Sequence, residues 1–342
     1  QIGYRYWLQY GSDEADVNAK DPLVEEAKNF GFGSRTGIDI PGEAPGRIAD
    51  RAWKRGYYDS MKDYYCDLSA KPQTPDTSDY VYQFAREFCI DGYAYRAGDA
   101  ANFTIGQGDT IVTPLQLARG YAAFVNGGYR VAPLLVLRME DQEGRVLYQA
   151  APHRTRLFSP EVAYQGWDLL KGYVYDLGEK GLAKGARIPG RVVGGKTGTT
   201  NEARDLWFAG VTRGLSAVVW VGRDDNRPLR MGGREPSSSV VNPPIWRNFV
   251  AEALKGRPGG DFPPPSGLVP VRVDLETGLP SEKGVVVYVP EGKVPSGRPP
   301  EETPALPRPH PLLTPPGGGL AAESRGAGRD SAGGAAGPAD PS

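Results

Sequence analysis

The sequence predicts an α/β chain of the α+β type, in which helices cover an antiparallel sheet. Two observations point there. Four segments open on a capping residue followed by proline and close on glycine, which is how helices are punctuated. They are DPLVEEAKNFG from Asp21, TPLQLARGYAAFVNGG from Thr113, SPEVAYQGWDLLKGYVYDLG from Ser159 and NPPIWRNFVAEALKG from Asn242. Strand-like runs come in neighbouring pairs joined by short polar turns, with no repeating βαβ rhythm and no internal repeat.

Each element has its own justification. In the Thr113 segment Gln116 stands at the third helical position, a capping box, and Leu117, Tyr121, Phe124 and Val125 define a buried face. RVAPLLVLRM and GRVLYQ flank the polar turn Glu140 to Glu143, and DLWFAGVT and LSAVVWVG flank Arg213-Gly214. RVVGGKTGTT, just before the second pair, is a natural third strand. VRVDLETGLPSEKGVVVYV (271–289) alternates like a small hairpin. Beyond Pro295 proline, glycine and alanine dominate, and little apolar surface remains to offset ordering entropy. The expected organisation is a body over 1–256 containing a Cys-bearing insert at 57–95, a hairpin appendage at 257–295 and a disordered tail at 296–342.

Composition excludes several classes of function. The net charge is −1, from 40 basic and 41 acidic residues without long single-sign blocks, so no nucleic-acid partner is implied. Two histidines and two cysteines leave too few ligands for a zinc or iron–sulfur site, and no motif for another metal or for a cofactor is present. His153 lies in polar PHRTR and His310 in a proline-rich stretch, so both read as solvated residues rather than catalytic ones. No apolar run of 18 residues and no secretory leader pattern occurs.

The most informative stretch is GRVVGGKTGTTNEARDLWFAG, 190–210. Its first eight residues fit the phosphate-binding pattern G-x-x-x-x-G-K-[ST], but such a loop needs an apolar strand before it and a helix after it. Here GEKGLAKGARIP precedes and TGTTNEARD follows, so the nucleotide reading fails on both sides. As an exposed strand the same residues make sense: Lys196, Gly198 and Thr200 point to one face and Thr197 and Thr199 to the other. Gly198 leaves room for a substrate backbone. A cation, hydroxyls and backbone N–H groups together suit a peptide carboxylate and carbonyl.

Lys196-Thr197-Gly198 is one of the three short motifs of penicillin-reactive serine acyltransferases, beside S-x-x-K and S-x-N. GKTGTTNEARDLWFAGVT, AVVWVGRDDNRPL and PPIWRNFVAEALKGRP resemble the end of a class A transpeptidase domain of the penicillin-binding proteins. FGFGSRTGIDIPGEAPG and NFTIGQGDTIVTPLQLARGYAAFVNGG resemble middle blocks of the class B enzymes. The resemblance spans residues 21 to about 258 and implies the serine β-lactamase/D,D-transpeptidase-like fold, here N-terminally incomplete. It also implies acyl transfer on D-Ala-D-Ala stem peptides of peptidoglycan, reaction with β-lactams, cell-wall synthesis proteins as partners and the extracytoplasmic face of the bacterial plasma membrane.

By that resemblance Lys196 and Thr199 are catalytic: Lys196 organises the nucleophile's protons and attracts the substrate carboxylate, and the Thr199 N–H forms half of an oxyanion hole. Thr197, Gly198, Thr199 and Thr200 bind substrate. No serine in the chain has lysine three residues on or asparagine two on, Ser216 and Ser237 to Ser239 included. The expectation is therefore a C-terminal piece of a longer transpeptidase, its membrane anchor and nucleophile lying upstream of residue 1; the alternative is a scaffold homologue that has lost its nucleophile. The insert around Cys66 and Cys89 resembles one found in some class B enzymes. A disulfide there fits an extracellular setting and would stabilise by ~3 kcal/mol, against the alternative of two buried thiols. Arg204 and Asp205 are expected to pair and Trp207 and Phe208 to straddle their strand. Asp39 and Glu43 read as turn residues rather than as a glycosidase pair, and Gly31, Gly33, Gly106 and Gly108 as turn glycines.

Overall fold

The computed structural model describes residues 2–72, 79–176 and 181–296. Three proline-marked helices begin where the sequence places them. Asp21 Oδ1 caps α2 (Pro22–Phe30) through Val24 N at 3.2 Å, Thr113 Oγ1 caps α6 (Pro114–Ala122) through Gln116 N at 3.2 Å, and Ser159 Oγ caps α7 (Pro160–Tyr175) through Val162 N at 3.4 Å. Such caps satisfy amide donors that the first helical turn leaves unpaired. The capping box of α6 is complete, Gln116 Oε1 accepting from Thr113 N at 2.9 Å.

The fourth helix departs from expectation. It runs Ser238–Ala253 (α8), capped by Ser237, so Pro243 and Pro244 lie inside it and Asn242 is no cap. Asn242 is fully buried, and its Nδ2 donates to the carbonyls of Leu206 at 2.9 Å and Val219 at 3.1 Å. It ties the helix to two strands, a role that Asn-Pro-Pro, which imitates a cap followed by N1 and N2, conceals. The RVAPLLVLRM run is also not one strand. Its start forms β1 (Tyr129–Val131), paired with β4 (Arg154–Arg156), and its end forms β2 (Arg138–Glu140), paired with β3 (Val146–Gln149). Between them Asp39 accepts from Leu135 N and Val136 N, both at 2.8 Å, diverting the chain from extended pairing.

The central sheet has three antiparallel strands in the order β5 (Val193–Thr199), β6 (Asp205–Thr212), β7 (Leu215–Gly222), leaving β5 at an edge. Helices cover both faces, as the sequence predicts. On one side Val193, Phe208, Trp246 and Val250 pack together, α8 supplying the last two. On the other, Tyr164 and Trp167 of α7 meet Val211 and Leu268. This contact needs Gly194, since a Cβ there would lie 2.8 Å from Trp167. The hairpin β8 (Leu268–Val273) and β9 (Val285–Pro290) leans on α7, with the Tyr288 and Tyr164 rings 5.1 Å apart.

Toward the N-terminus α1 (Ile2–Tyr10) packs on α5 (Ala97–Thr104). The insert is helical: α3 (Arg51–Ala70) and α4 (Asp79–Asp91) pack against each other, with Tyr57, Tyr58, Tyr65 and Phe84 all touching the Phe88 ring. Cys66 and Cys89 are joined by a disulfide between them, Cα atoms 5.0 Å apart. The described residues belong to one compact unit. The predicted disordered tail lies, but for its first residue, outside the described residues. Among the described residues no helix is long and apolar enough to cross a membrane.

Candidate active site

The lysine strand is the exposed edge of the central sheet, in register Lys196 with Ala209, Thr197 with Phe208, Gly198 with Trp207 and Thr199 with Leu206. Thr200 N donates inward to Asp205 O at 3.1 Å. In an antiparallel ladder N–H and C=O of one residue point the same way and alternate along the strand. Thr197 and Thr199 therefore direct their backbone groups outward, along the free edge. Their carbonyls bear this out: Thr199 O accepts from Gln107 Nε2 at 3.1 Å and Thr197 O accepts from Lys196 Nζ at 2.7 Å. The Thr199 N–H faces the same edge.

Side chains sort as alternation requires. Thr197 and Thr199 lie on the face of Phe208 and α8, where the Thr199 hydroxyl meets the buried Ser238 hydroxyl at 2.7 Å. Lys196 is exposed on the other face, and its ammonium sits 4.6 Å from the centre of the Tyr173 ring, a cation–π contact. The Tyr173 hydroxyl lies 3.4 Å from Lys196 Nζ and 2.6 Å from Thr197 Oγ1, so one phenol at the end of α7 touches both motif residues. Beside it burial pushes the Tyr121 phenol up to about 12, with Tyr173 adding to the shift. Gly198 would meet Trp207 only at 3.4 Å if it carried a Cβ, so its bareness relieves no clash and instead keeps the edge beside Lys196 clear.

Thr200 supports the strand end rather than extending the open edge. Its hydroxyl bonds Asp205 N at 2.8 Å and Asp205 Oδ2 at 3.3 Å. The expected Arg204–Asp205 pair does not form. Arg204 turns to Glu202 and to Asn226 O, because Asp205 is engaged by Thr200 and by Trp220 Nε1 at 2.9 Å. Phe208 enters the core and Trp207 lies against Trp220, the straddle the sequence predicts.

Gln107, Tyr173 and Ser238 are the contacts that sequence reasoning misses. Gly106 and Gly108 have φ of +73° and +91°, turn glycines that present Gln107 between them. Ser216 is spent on Ala118 O at 2.7 Å. Asp39 and Glu43 serve the backbone: Glu43 Oε1 accepts from Thr36 N at 2.7 Å and from the Thr36 hydroxyl at 2.5 Å, and Oε2 accepts from Gly37 N at 3.2 Å. Among the described residues no cluster of three or more His, Cys, Asp or Glu is placed to hold a metal.

Fold and edge strand together define a transpeptidase-type domain. The family model described as the penicillin binding protein transpeptidase domain matches residues 12–243, and the chain belongs to that family. It is 35% identical over 196 residues to penicillin-binding protein 1A of Neisseria lactamica, covering 56% of this chain and 23% of that protein. It is 30% identical over 230 residues to penicillin-binding protein 1A of Pseudomonas aeruginosa, covering 54% of this chain and 28% of that protein. The chain thus spans about a quarter of the length of these curated relatives. A crystal structure of penicillin-binding protein 1A from Haemophilus influenzae aligns with a TM-score of 0.49 at 24% identity, over 81% of this chain and 48% of that one.

Proposed function

We propose that this chain supplies one wall of a serine-type D,D-transpeptidase site that acts on D-Ala-D-Ala stem peptides and is acylated by β-lactams. The observation that carries the reading is the edge of β5, where Lys196 bonds the outward carbonyl of Thr197 and the N–H of Thr199 faces the same edge, in the motif the family shares. A stem peptide laid along this edge pairs as an added strand, and backbone bonds give affinity while Lys196 attracts its terminal carboxylate. The nucleophile is a serine of an S-x-x-K motif outside these 342 residues. Its oxygen attacks the penultimate D-Ala carbonyl, the peptide C–N bond breaks, and the terminal D-Ala leaves with the transferred proton. An amine of a second stem then attacks the ester and releases the serine.

In that cycle the Thr199 N–H donates to the oxyanion, a contribution of roughly 10² to 10³ in rate. Gln107 holds the Thr199 carbonyl, in the peptide group next to the one that presents this N–H, and so restrains the Thr199 backbone before substrate arrives. The Tyr173 phenol fixes Thr197 and Lys196 against each other. We place the site on the extracytoplasmic face of the plasma membrane, among cell-wall synthesis proteins. The Cys66–Cys89 disulfide supports an oxidising compartment. Labelling with a fluorescent penicillin tests the reading: the complete gene product takes covalent label and this chain alone does not. Absence of label on both, with no S-x-x-K serine in the gene, overturns it in favour of a scaffold.

A further inference from the structure

A cavity of about 170 Å³, lined by no residue of the lysine strand, lies where the loop after α2, α6 and the β1–β4 ribbon meet. Arg35, Arg119, Arg130 and His153 all line it. Arg119 is 9% exposed; its two terminal nitrogens donate to Thr36 O and Gly31 O, both at 3.1 Å, while Nε is buried with no partner among the described residues. Arg130 donates to Asn29 O. No carboxylate stands within ion-pair distance of these three arginines among the described residues. The acid whose charge bears on Arg119, Glu43, has both oxygens committed to Thr36 and Gly37.

We propose that this cavity is a binding site for a phosphate-type oxyanion, the phosphate or diphosphate of a small ester. Guanidinium groups lining one cavity with no carboxylate at ion-pair distance are costly to hold together, and a structural role accounts for the two backbone bonds of Arg119 but for neither its Nε nor its cationic neighbours. Burial and the charge of Arg130 both hold the Arg119 guanidinium below its ordinary value, against the pull of Glu43, and an anion in the cavity relieves both. Three guanidiniums match a tetrahedral, multiply charged group better than one planar carboxylate, which a single arginine fork satisfies. The volume holds about five waters, room for a diphosphate. Its residues come from four chain segments that the fold brings together, which is why only His153, in PHRTR, stands out in the sequence.

The test titrates the full 342-residue chain with inorganic pyrophosphate by calorimetry at constant ionic strength, and separately with phosphatidylglycerol vesicles against phosphatidylcholine vesicles. The expected result is saturable binding weakened at least tenfold in the Arg35→Gln/Arg130→Gln variant and unchanged in Lys255→Gln. Loss of pyrophosphate binding in the double variant assigns a soluble ester; the same loss on phosphatidylglycerol alone assigns a lipid headgroup. Absence of binding to either probe, or binding that survives the double variant, overturns the proposal. Arg35→Gln alone, at an exposed position, keeps the test available should the double variant unfold, and is expected to weaken binding severalfold.

Discussion

The side-chain amide of Gln107 donates to the carbonyl of Thr199 at 3.1 Å, joining residues 92 positions apart in the chain. That bond orients the peptide group beside the proposed oxyanion donor. Gln107→Ala in the complete gene product is predicted to slow β-lactam acylation roughly tenfold, read as the second-order rate, with the melting temperature little changed. An unaltered rate removes Gln107 from the site.

Tyr173 separates two contributions that a single truncation would merge. Tyr173→Phe keeps the ring beneath the Lys196 ammonium but deletes the hydroxyl that meets Thr197 Oγ1. Acylation is predicted to fall about tenfold, the scale of one lost hydrogen bond, and Tyr173→Ala further. Equal rates in the two variants would mean that the ring contributes nothing and the hydroxyl everything.

Recognition of the fold in the sequence followed chemistry that is local. Asp21-Pro22, Thr113-Pro114 and Ser159-Pro160 each cap a helix within three residues, so each was readable. Asn242-Pro243 displays the same signal and misleads, because the Asn242 side chain bonds strands β6 and β7 that no neighbouring residue announces. The α3–α4 pair escaped notice because an aromatic, polar stretch shows little helical periodicity, and rings such as Phe88 gather only once both helices stand together. The same division holds at the site. Lys196 and Thr199 were legible in one motif, whereas Tyr173, Ser238 and Gln107 reach it from elsewhere in the chain and carry no mark of it.

The disulfide fastens α3 to α4. Cys66→Ala/Cys89→Ala is predicted to lower unfolding free energy by ~3 kcal/mol in denaturant titration, because the open form regains loop freedom. Reductant should reproduce the loss in the parent protein and leave the variant unaffected. A parent protein insensitive to reductant, with two alkylatable thiols, contradicts the bond.

Glu43 sets an acid limit on stability. Burial raises its carboxyl, but the Thr36 hydroxyl and the Thr36 and Gly37 amides outweigh burial, with help from Arg119, and leave it below the ordinary value. A depressed folded pKa contributes stability above the unfolded value and loses it as pH falls through the folded one. Glu43→Gln is therefore predicted to melt lower than the parent at pH 7, with the gap narrowing below about pH 4.5. Parallel melting curves across that window would place the effect elsewhere.

Mass spectrometry of the complete gene product after reaction with a β-lactam reads the assignment of Lys196 with no intervening step. The predicted result is one adduct per molecule, on an S-x-x-K serine outside these 342 residues, formed at least ~10²-fold more slowly by Lys196→Ala. An adduct on Ser238 or another serine of this chain, no adduct at all, or an unchanged rate in Lys196→Ala contradicts it.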